Sequence, residues 1–403
     1  MTVDKAECSQ TGKIADIQSA SSWVVVDVDA IEHNLAEIRR VAPRSMIMAI
    51  VKANAYGHGL QPMGRFLQEM GVEWLAVAKF EEALDLCEEG VTCDVLNMGP
   101  IYEPQVKTLL EKGVVQSVFK LRDAQLLNSA ALSSGNRARI HVKMDTGLGR
   151  VGVRYDVAEG FVNELWQMPG LELEGLFTTF TEEEDFDRTQ LARLLRIHDS
   201  LKSEGIEIPL RHAASSAAIL SFPESHMEIV RPGIMIYGYY PSRKERLERK
   251  VDLRPAMSLR GRVEYVKEIE KGDSLYYHRT FVAPRRMKVA TIHVGYSDGY
   301  PKALSKNGAV LKNGRRCRIL GGVSANHFLV DLENDSDTVP SDEVILIGRS
   351  NGGEISVEEV AELANVSEYD ITVGMSPLLP RVYFRNGVPA KIFNPVLKQR
   401  SES

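Results

Sequence analysis

A (β/α)8 barrel followed by a mostly antiparallel β domain is the architecture that this 403-residue chain predicts. Three observations carry it. Eight short apolar runs suited to buried strands lie between residues 46 and 236, at Met46–Lys52, Trp74–Lys79, Asp94–Met98, Val115–Phe119, Ile140–Asp145, Gly175–Phe180, Pro209–Ala214 and Ile229–Ile236. Amphipathic segments such as Phe80–Cys87 separate them, and several close on a glycine, as at Gly71, Gly90, Gly113, Gly135 and Gly205, where a left-handed residue after a helix costs least. After Tyr240 the texture changes: residues 241–256 are charged and hold two prolines, and the pattern beyond them has period two. Eight strand–helix units over about 200 residues favour a closed barrel over an open doubly wound sheet. The open sheet stays an alternative, because strand count alone does not close a barrel.

Taken in order, residues 1–22 read as a loose polar tail without the apolar core of a signal peptide. Trp23–Asp29 is a short β-branched strand ahead of the barrel, able to pair with it or with the C-terminal domain. A helix pattern covers Ile31–Val41. The barrel domain is expected over 23–240, a linker over 241–256 and the β domain over 257–399. Within the last, strands are expected from Leu259, over Met287–Gly295, Ala309–Lys312, Cys317–Leu332 and Val344–Gly348. Asn313-Gly314 is a strong two-residue hairpin signal. One helix, Ser356–Leu363, interrupts.

Composition narrows the function classes. A hydrophobic content of 44% and a charged content of 26% are ordinary for a globular chain. The net charge of -6 gives no electrostatic case for nucleic acid or an acidic membrane surface. No apolar run approaches the roughly 20 residues of a membrane span. Cys8, Cys87, Cys93 and Cys317 are scattered, which argues against a zinc site or a disulfide frame and fits a reducing cytoplasm.

The chemistry concentrates at the carboxyl ends of the expected strands, where barrels of this kind carry their sites. The run Met46–Val51 ends in Lys52. An ammonium loses its hydration at such a place, and an amine that is neutral part of the time is what imine chemistry needs. The plain alternative is a lysine whose amine reaches water. Tyr56 follows Lys52. Lys143 and Arg150 end strand five, His212 and Ser215-Ser216 follow strand seven, and Arg231 with Gly233-Ile234 closes strand eight. Loops after strands seven and eight often hold phosphate, and Ser215-Ser216 suits either a phosphate contact or a helix cap. Read singly, Lys143 and Arg150 also suit a surface ion-pair set, His212 a core histidine, and Tyr276-Tyr277 ordinary strand residues.

The string Ala49-Ile-Val-Lys52-Ala-Asn-Ala-Tyr56-Gly-His-Gly59 closely resembles the pyridoxal 5'-phosphate (PLP) attachment motif of the alanine racemase family. The resemblance extends from about Trp23 to Asn394 through His141–Arg150, His212–Ser216, Val230–Ile234, Gly272–Tyr277 and Gly295–Gly299. It implies a barrel plus β domain in a head-to-tail homodimer with shared active sites and a small amino-acid substrate. It implies that Lys52 attaches PLP and serves as one catalytic base, and that Tyr277 of the partner subunit is the other. Free tyrosine ionises near pH 10, so a tyrosinate base needs cationic help, about 4 kcal/mol for about 3 pH units. By the same resemblance Arg231 faces the pyridine nitrogen. Arg150 contacts the cofactor and the substrate carboxylate, and Lys143 is the residue often carbamylated to hold it. Tyr56, Ser216, Gly233 and Ile234 contact the phosphate, and Tyr296 lines the substrate entrance.

Three positions depart from the family pattern. Thr179 stands where a histidine usually links the base tyrosine to the arginine, which leaves His212 or His278 to take over as the supporting group. Ser324-Ala325-Asn326 replaces Cys-Met-Asp, which opens the substrate pocket at Ala325. Pro377 replaces a phosphate tyrosine. The function expected is an alanine-type amino-acid racemase acting by two bases. The alternatives are a racemase of another or broader range, serine for instance, or a PLP-binding paralogue with little activity. A decarboxylase on the same scaffold is disfavoured by Arg231.

Overall fold

The computed structural model describes residues 20–396 apart from 334 and 336, so the expected tail lies almost wholly outside the described residues, as do 397–399. The described residues divide into two compact units, one of residues 30–55 and 60–255, the other of residues 20–29, 56–59 and 256–396.

The first unit is the barrel. Its eight strands are Met46–Ile50, Trp74–Val77, Asp94–Asn97, Val115–Val118, Ala138–Asp145, Leu171–Phe177, Leu210–Ser215 and Ile229–Arg231. Each pairs in parallel with the next, and Ile229 of the eighth pairs with Met46 of the first, which closes the sheet and removes the open-sheet alternative. The strands read as apolar runs because both faces are covered: Trp74–Val77 and Val115–Val118 are buried throughout. The helices supply the outer cover. Leu60–Glu69 buries Leu60, Met63, Phe66 and Leu67, and Gly64 among them lets Leu86 of the helix Phe80–Glu88 approach so closely that a Cβ would lie 2.4 Å from it.

Two expectations about this unit need correction. The eighth strand was expected to reach Ile236 but stops at Arg231, because Pro232 has no N–H for a ladder; residues 233–239 form turns, with Ile236 N donating to Gly233 O. The stretch expected as a linker carries the helix Arg243–Glu248, capped by Ser242 Oγ accepting from Lys244 N, and it clusters with the barrel as far as Pro255.

The second unit is built on a ten-stranded sheet. Ser22–Asp27 lies inside it, antiparallel to Met257–Ile269 and parallel to Arg381–Arg385. Asn313-Gly314 makes the anticipated hairpin: Lys312 pairs with Arg315, and both connecting residues have positive φ, 51° and 81°. The expected helix runs from Val357 to Ala364 with Ser356 as its cap, and a second, Glu368–Val373, follows unanticipated behind the cap Ser367. Arg381 is fully buried, and its guanidinium donates to the carbonyls of Gly57, Ser376, Pro377 and Leu379, so among the described residues its charge is held by main-chain oxygens.

Candidate active site

Lys52 emerges where strand one ends, and the backbone after it does something rare. Ala53, Asn54, Ala55 and Tyr56 all have positive φ, between 50° and 56°, a turn of left-handed helix without a glycine. Each such residue costs about 1–2 kcal/mol. The turn is held open by specific bonds: Glu82 Oε1 accepts from Ala53 N at 2.6 Å, and Asn54 Oδ1 accepts from Leu60 N at 2.9 Å. Strain of this kind collects at functional sites, where a fixed side-chain direction is worth its cost. The Lys52 amine is held below its ordinary pKa, first by burial and then by the charge of Arg150, against a smaller opposing pull from Glu82.

A second lysine, near the carboxyl end of strand five, is perturbed further. Lys143 is buried, and its pKa falls to about 7 through burial first and then the charges of Arg231, Arg150 and Lys52. Its Nζ donates to Thr179 Oγ1 at 3.2 Å and lies 4.8 Å from the centre of the Phe177 ring. Arg150 is exposed at the end of a loop in which Asp145 Oδ1 accepts from the amides of Gly147 and Gly149.

The third buried cation, Arg231, sits at the end of strand eight. Its Nη2 donates to Thr178 O at 2.7 Å and Ala213 O at 3.0 Å, and its Nη1 donates to His212 Nδ1 at 2.9 Å. Burial depresses its pKa to about 9, yet a guanidinium remains charged throughout the working range. That bond fixes the next two protons. His212 Nδ1 must accept, so His212 Nε2 carries the hydrogen and donates to His141 Nδ1 at 2.8 Å. His141 then holds its own proton on Nε2, 3.8 Å from Glu174 Oε2. Both imidazoles are fully buried and neutral: burial and the neighbouring arginine charges take His141 down to about 3, and His212 falls for the same reasons. Phe177 stacks on His212 at 4.6 Å, and Gly175 leaves room for the His141 ring, which a Cβ would meet at 2.6 Å.

Ser216 is buried, and its Oγ accepts from Gly233 N at 2.9 Å, tying the loops after strands seven and eight. Ser215 makes no side-chain cap, so of the two readings of this pair the cap is not what forms. Gly233 and Ile234 are buried beside that tie.

Lys52, Lys143, Arg150, Thr179, His212, Ser216, Arg231, Gly233 and Ile234 therefore belong to the barrel unit. Tyr56, Tyr277, Tyr296 and Ala325 belong to the second. There Tyr277 is 72% exposed, between residues of positive φ, Tyr276 at 69° and His278 at 57°. Tyr296 N donates to Ser324 O at 3.1 Å, and Ser297 Oγ donates to Ala325 O at 2.7 Å. Pro377 is exposed and offers only its carbonyl, to Arg381. Reading the sequence overlooked His141, Glu82 and Thr178 O as parts of the site. His141 was legible, since it lies two residues before Lys143 and so on the same face of strand five.

The chain matches the model of the alanine racemase N-terminal domain over residues 26–241 and that of the alanine racemase C-terminal domain over 256–383. It is similar to the alanine racemase of Desulforamulus reducens, 38% identical over 368 residues that span 90% of this chain and 98% of that one. It is also similar to the alanine racemase of Clostridium perfringens, 36% identical over 94% of this chain and 99% of that one. Among solved structures, alanine racemase of Clostridium difficile 630 superposes with a TM-score of 0.88 at 30% identity, covering 93% of this chain and 99% of that one. Alanine racemase from Bacillus anthracis with bound L-Ala-P gives 0.87 at 33% identity, covering 94% and 98%.

Proposed function

This chain belongs to the alanine racemase family, and on that premise we propose how its own residues carry the reaction. The activity is racemisation of alanine with PLP as cofactor. No observation favours the serine-range or inactive alternatives. The donor set suits the cofactor: a lysine of depressed pKa for its aldehyde, a buried hydroxyl with the backbone of Gly233 and Ile234 for its phosphate, and a fixed guanidinium for its ring. Lys52, Tyr56, Ser216, Gly233, Ile234, Arg150 and Arg231 are the residues proposed to hold it. When bound, PLP supplies an electron sink that acidifies the substrate α-hydrogen.

The chain's residues then divide the work. Lys52 Nζ takes or returns the α-proton on one face, and Tyr277 of the partner subunit does so on the other. Arg231, pinned by three acceptors and always charged, presents a cation that gives up no proton. The neutral His212 and His141 behind it keep that cation's position without adding charge. Arg150 receives the substrate carboxylate. Lys143, neutral about half the time near pH 7, is the amine set to take up carbon dioxide, forming a nitrogen–carbon bond and releasing a proton, and the resulting anion would hold Arg150. Tyr296 and Ala325 are assigned to the substrate entrance and pocket. On this reading a second copy of the chain completes the site, and the 72% exposure of the Tyr277 phenol supports its being lent to another protomer. Among the described residues no helix is long and apolar enough to cross a membrane, and Cys87, Cys93 and Cys317 are free thiols; the cytoplasm is the compartment proposed.

The observation that carries this reading is the convergence of Lys52, Lys143 and Arg231, three cations with depressed pKa, at one end of the barrel. The test is reductive trapping. Borohydride treatment of the PLP-loaded protein should fix the cofactor on the peptide containing Lys52. A label on any other lysine would refute it.

A further inference from the structure

The second unit carries a cluster that racemisation does not use. Glu264, His293 and His327 come from three adjacent strands of the large sheet or their ends. Ile292 pairs with Val263 on one side and with Phe328 on the other, and these three are buried on the inner face. His293 and His327 are the next residues along, directly opposite one another, so both point to the outer face. Glu264 follows Val263 at a bulge, where the register slips by one residue between Val263 and Tyr265; a bulge of this kind re-aims a side chain. The result is convergence. His327 Nε2 lies 2.6 Å and His293 Nδ1 3.8 Å from the same oxygen, Glu264 Oε2. The rings stack at 4.6 Å, and one ligand atom from each residue lies within 4.8 Å of the others.

We propose that Glu264, His293 and His327 form a binding site for a divalent transition-metal ion, with zinc as its representative, and that the ion braces the turn Ser324–His327. Two imidazoles and a carboxylate are a set that zinc accepts with water in the fourth position. Ligands about 2.0–2.1 Å from a tetrahedral ion stand about 3.4 Å apart, and the two measured separations bracket that value. The three side chains are nearly half exposed, so an ion reaches them and small torsional adjustments complete the geometry. To ligate through Nε2, His327 is neutral with its hydrogen on Nδ1, so that the Nε2 lone pair faces the ion beside Glu264.

The brace follows from the turn's own bonds. Ser324 N donates to His327 O at 2.8 Å, and His327 N donates to Ser324 Oγ at 3.1 Å. Ala325 and Asn326 lie inside that turn, and Asn326 Nδ2 donates to Ser297 Oγ. Fixing His327 therefore fixes the segment that replaces the family's Cys-Met-Asp. None of the three ligands is among the residues assigned to the reaction.

The test is calorimetric titration of the tag-free, PLP-loaded protein with zinc after chelator treatment. About one ion per chain is expected, with affinity falling at least about tenfold in His293→Ala, His327→Ala and Glu264→Gln. Circular dichroism and metal-free melting should match the parent, which separates lost ligands from lost fold. Binding that persists undiminished in the double histidine variant, or no saturable binding at millimolar zinc, would overturn the site. Hydrogen exchange at residues 324–327 should slow with zinc in the parent and not in His327→Ala; exchange indifferent to zinc would overturn the brace.

Discussion

Replacing His212 by leucine tests the hydrogen-bond chain behind Arg231 most sharply. The substitution keeps an apolar body against Phe177 but removes both ring nitrogens. Arg231 Nη1 loses its acceptor and His141 Nδ1 loses its donor, both in a fully buried setting. Each orphaned group costs about 1–3 kcal/mol, so a loss of about 3 kcal/mol is expected after the apolar gain is set against it. The acid limb gives a second, independent number. Both histidines have folded pKa values depressed below the ordinary 6.5, so the unfolded chain binds more protons as pH falls. Their stabilising contribution is therefore complete above pH about 6.5 and is lost below it, by about 1.4 kcal/mol per pH unit for each neutral histidine. His141 keeps losing it down to about pH 3. Urea unfolding of the PLP-loaded protein at several pH values between 5 and 7 should show the variant's slope shallower by about that amount. An equal slope in parent and variant, or a loss under about 1 kcal/mol at neutral pH, would refute the neutral chain.

Other outcomes follow from the same geometry. Gly175→Ala forces a Cβ to within 2.6 Å of the His141 ring between two barrel strands, so a loss of about 1–3 kcal/mol in urea unfolding is expected. Ala53→Gly relieves a left-handed residue and should stabilise by about 1 kcal/mol, reversing the usual penalty for glycine, as read from the melting midpoint. Lys143 should react with acetic anhydride at a rate that rises through pH about 7, well below an ordinary lysine, and mass spectrometry of the labelled peptide checks it.

Much of the barrel was legible because parallel strands covered on both faces must be apolar without alternation, and the amphipathic helices between them repeat that signal. The eighth strand ran too far in the reading because Ile234, Met235 and Ile236 are apolar for another reason: they line buried turns rather than a ladder. The helix Arg243–Glu248 was hidden by its charge, since it buries only Glu245. Within the site, lysines and arginines at strand ends stood out because charge is costly there. The direction of the Arg231–His212–His141 chain did not, because a proton's position is fixed by partners from three separate strands. The left-handed turn at Ala53–Tyr56 was equally silent, because alanine carries no marking for positive φ.

The most direct measurement is deuterium incorporation at Cα of L- and D-alanine in heavy water, comparing the PLP-loaded parent with Lys52→Ala and Tyr277→Phe. If Lys52 and a partner-supplied Tyr277 are the two bases, the parent exchanges both enantiomers, Lys52→Ala exchanges neither beyond the level of free PLP, and Tyr277→Phe loses exchange from one enantiomer far more than from the other. Equal exchange of both enantiomers by Tyr277→Phe at the parent rate, or undiminished exchange by Lys52→Ala, would contradict the account.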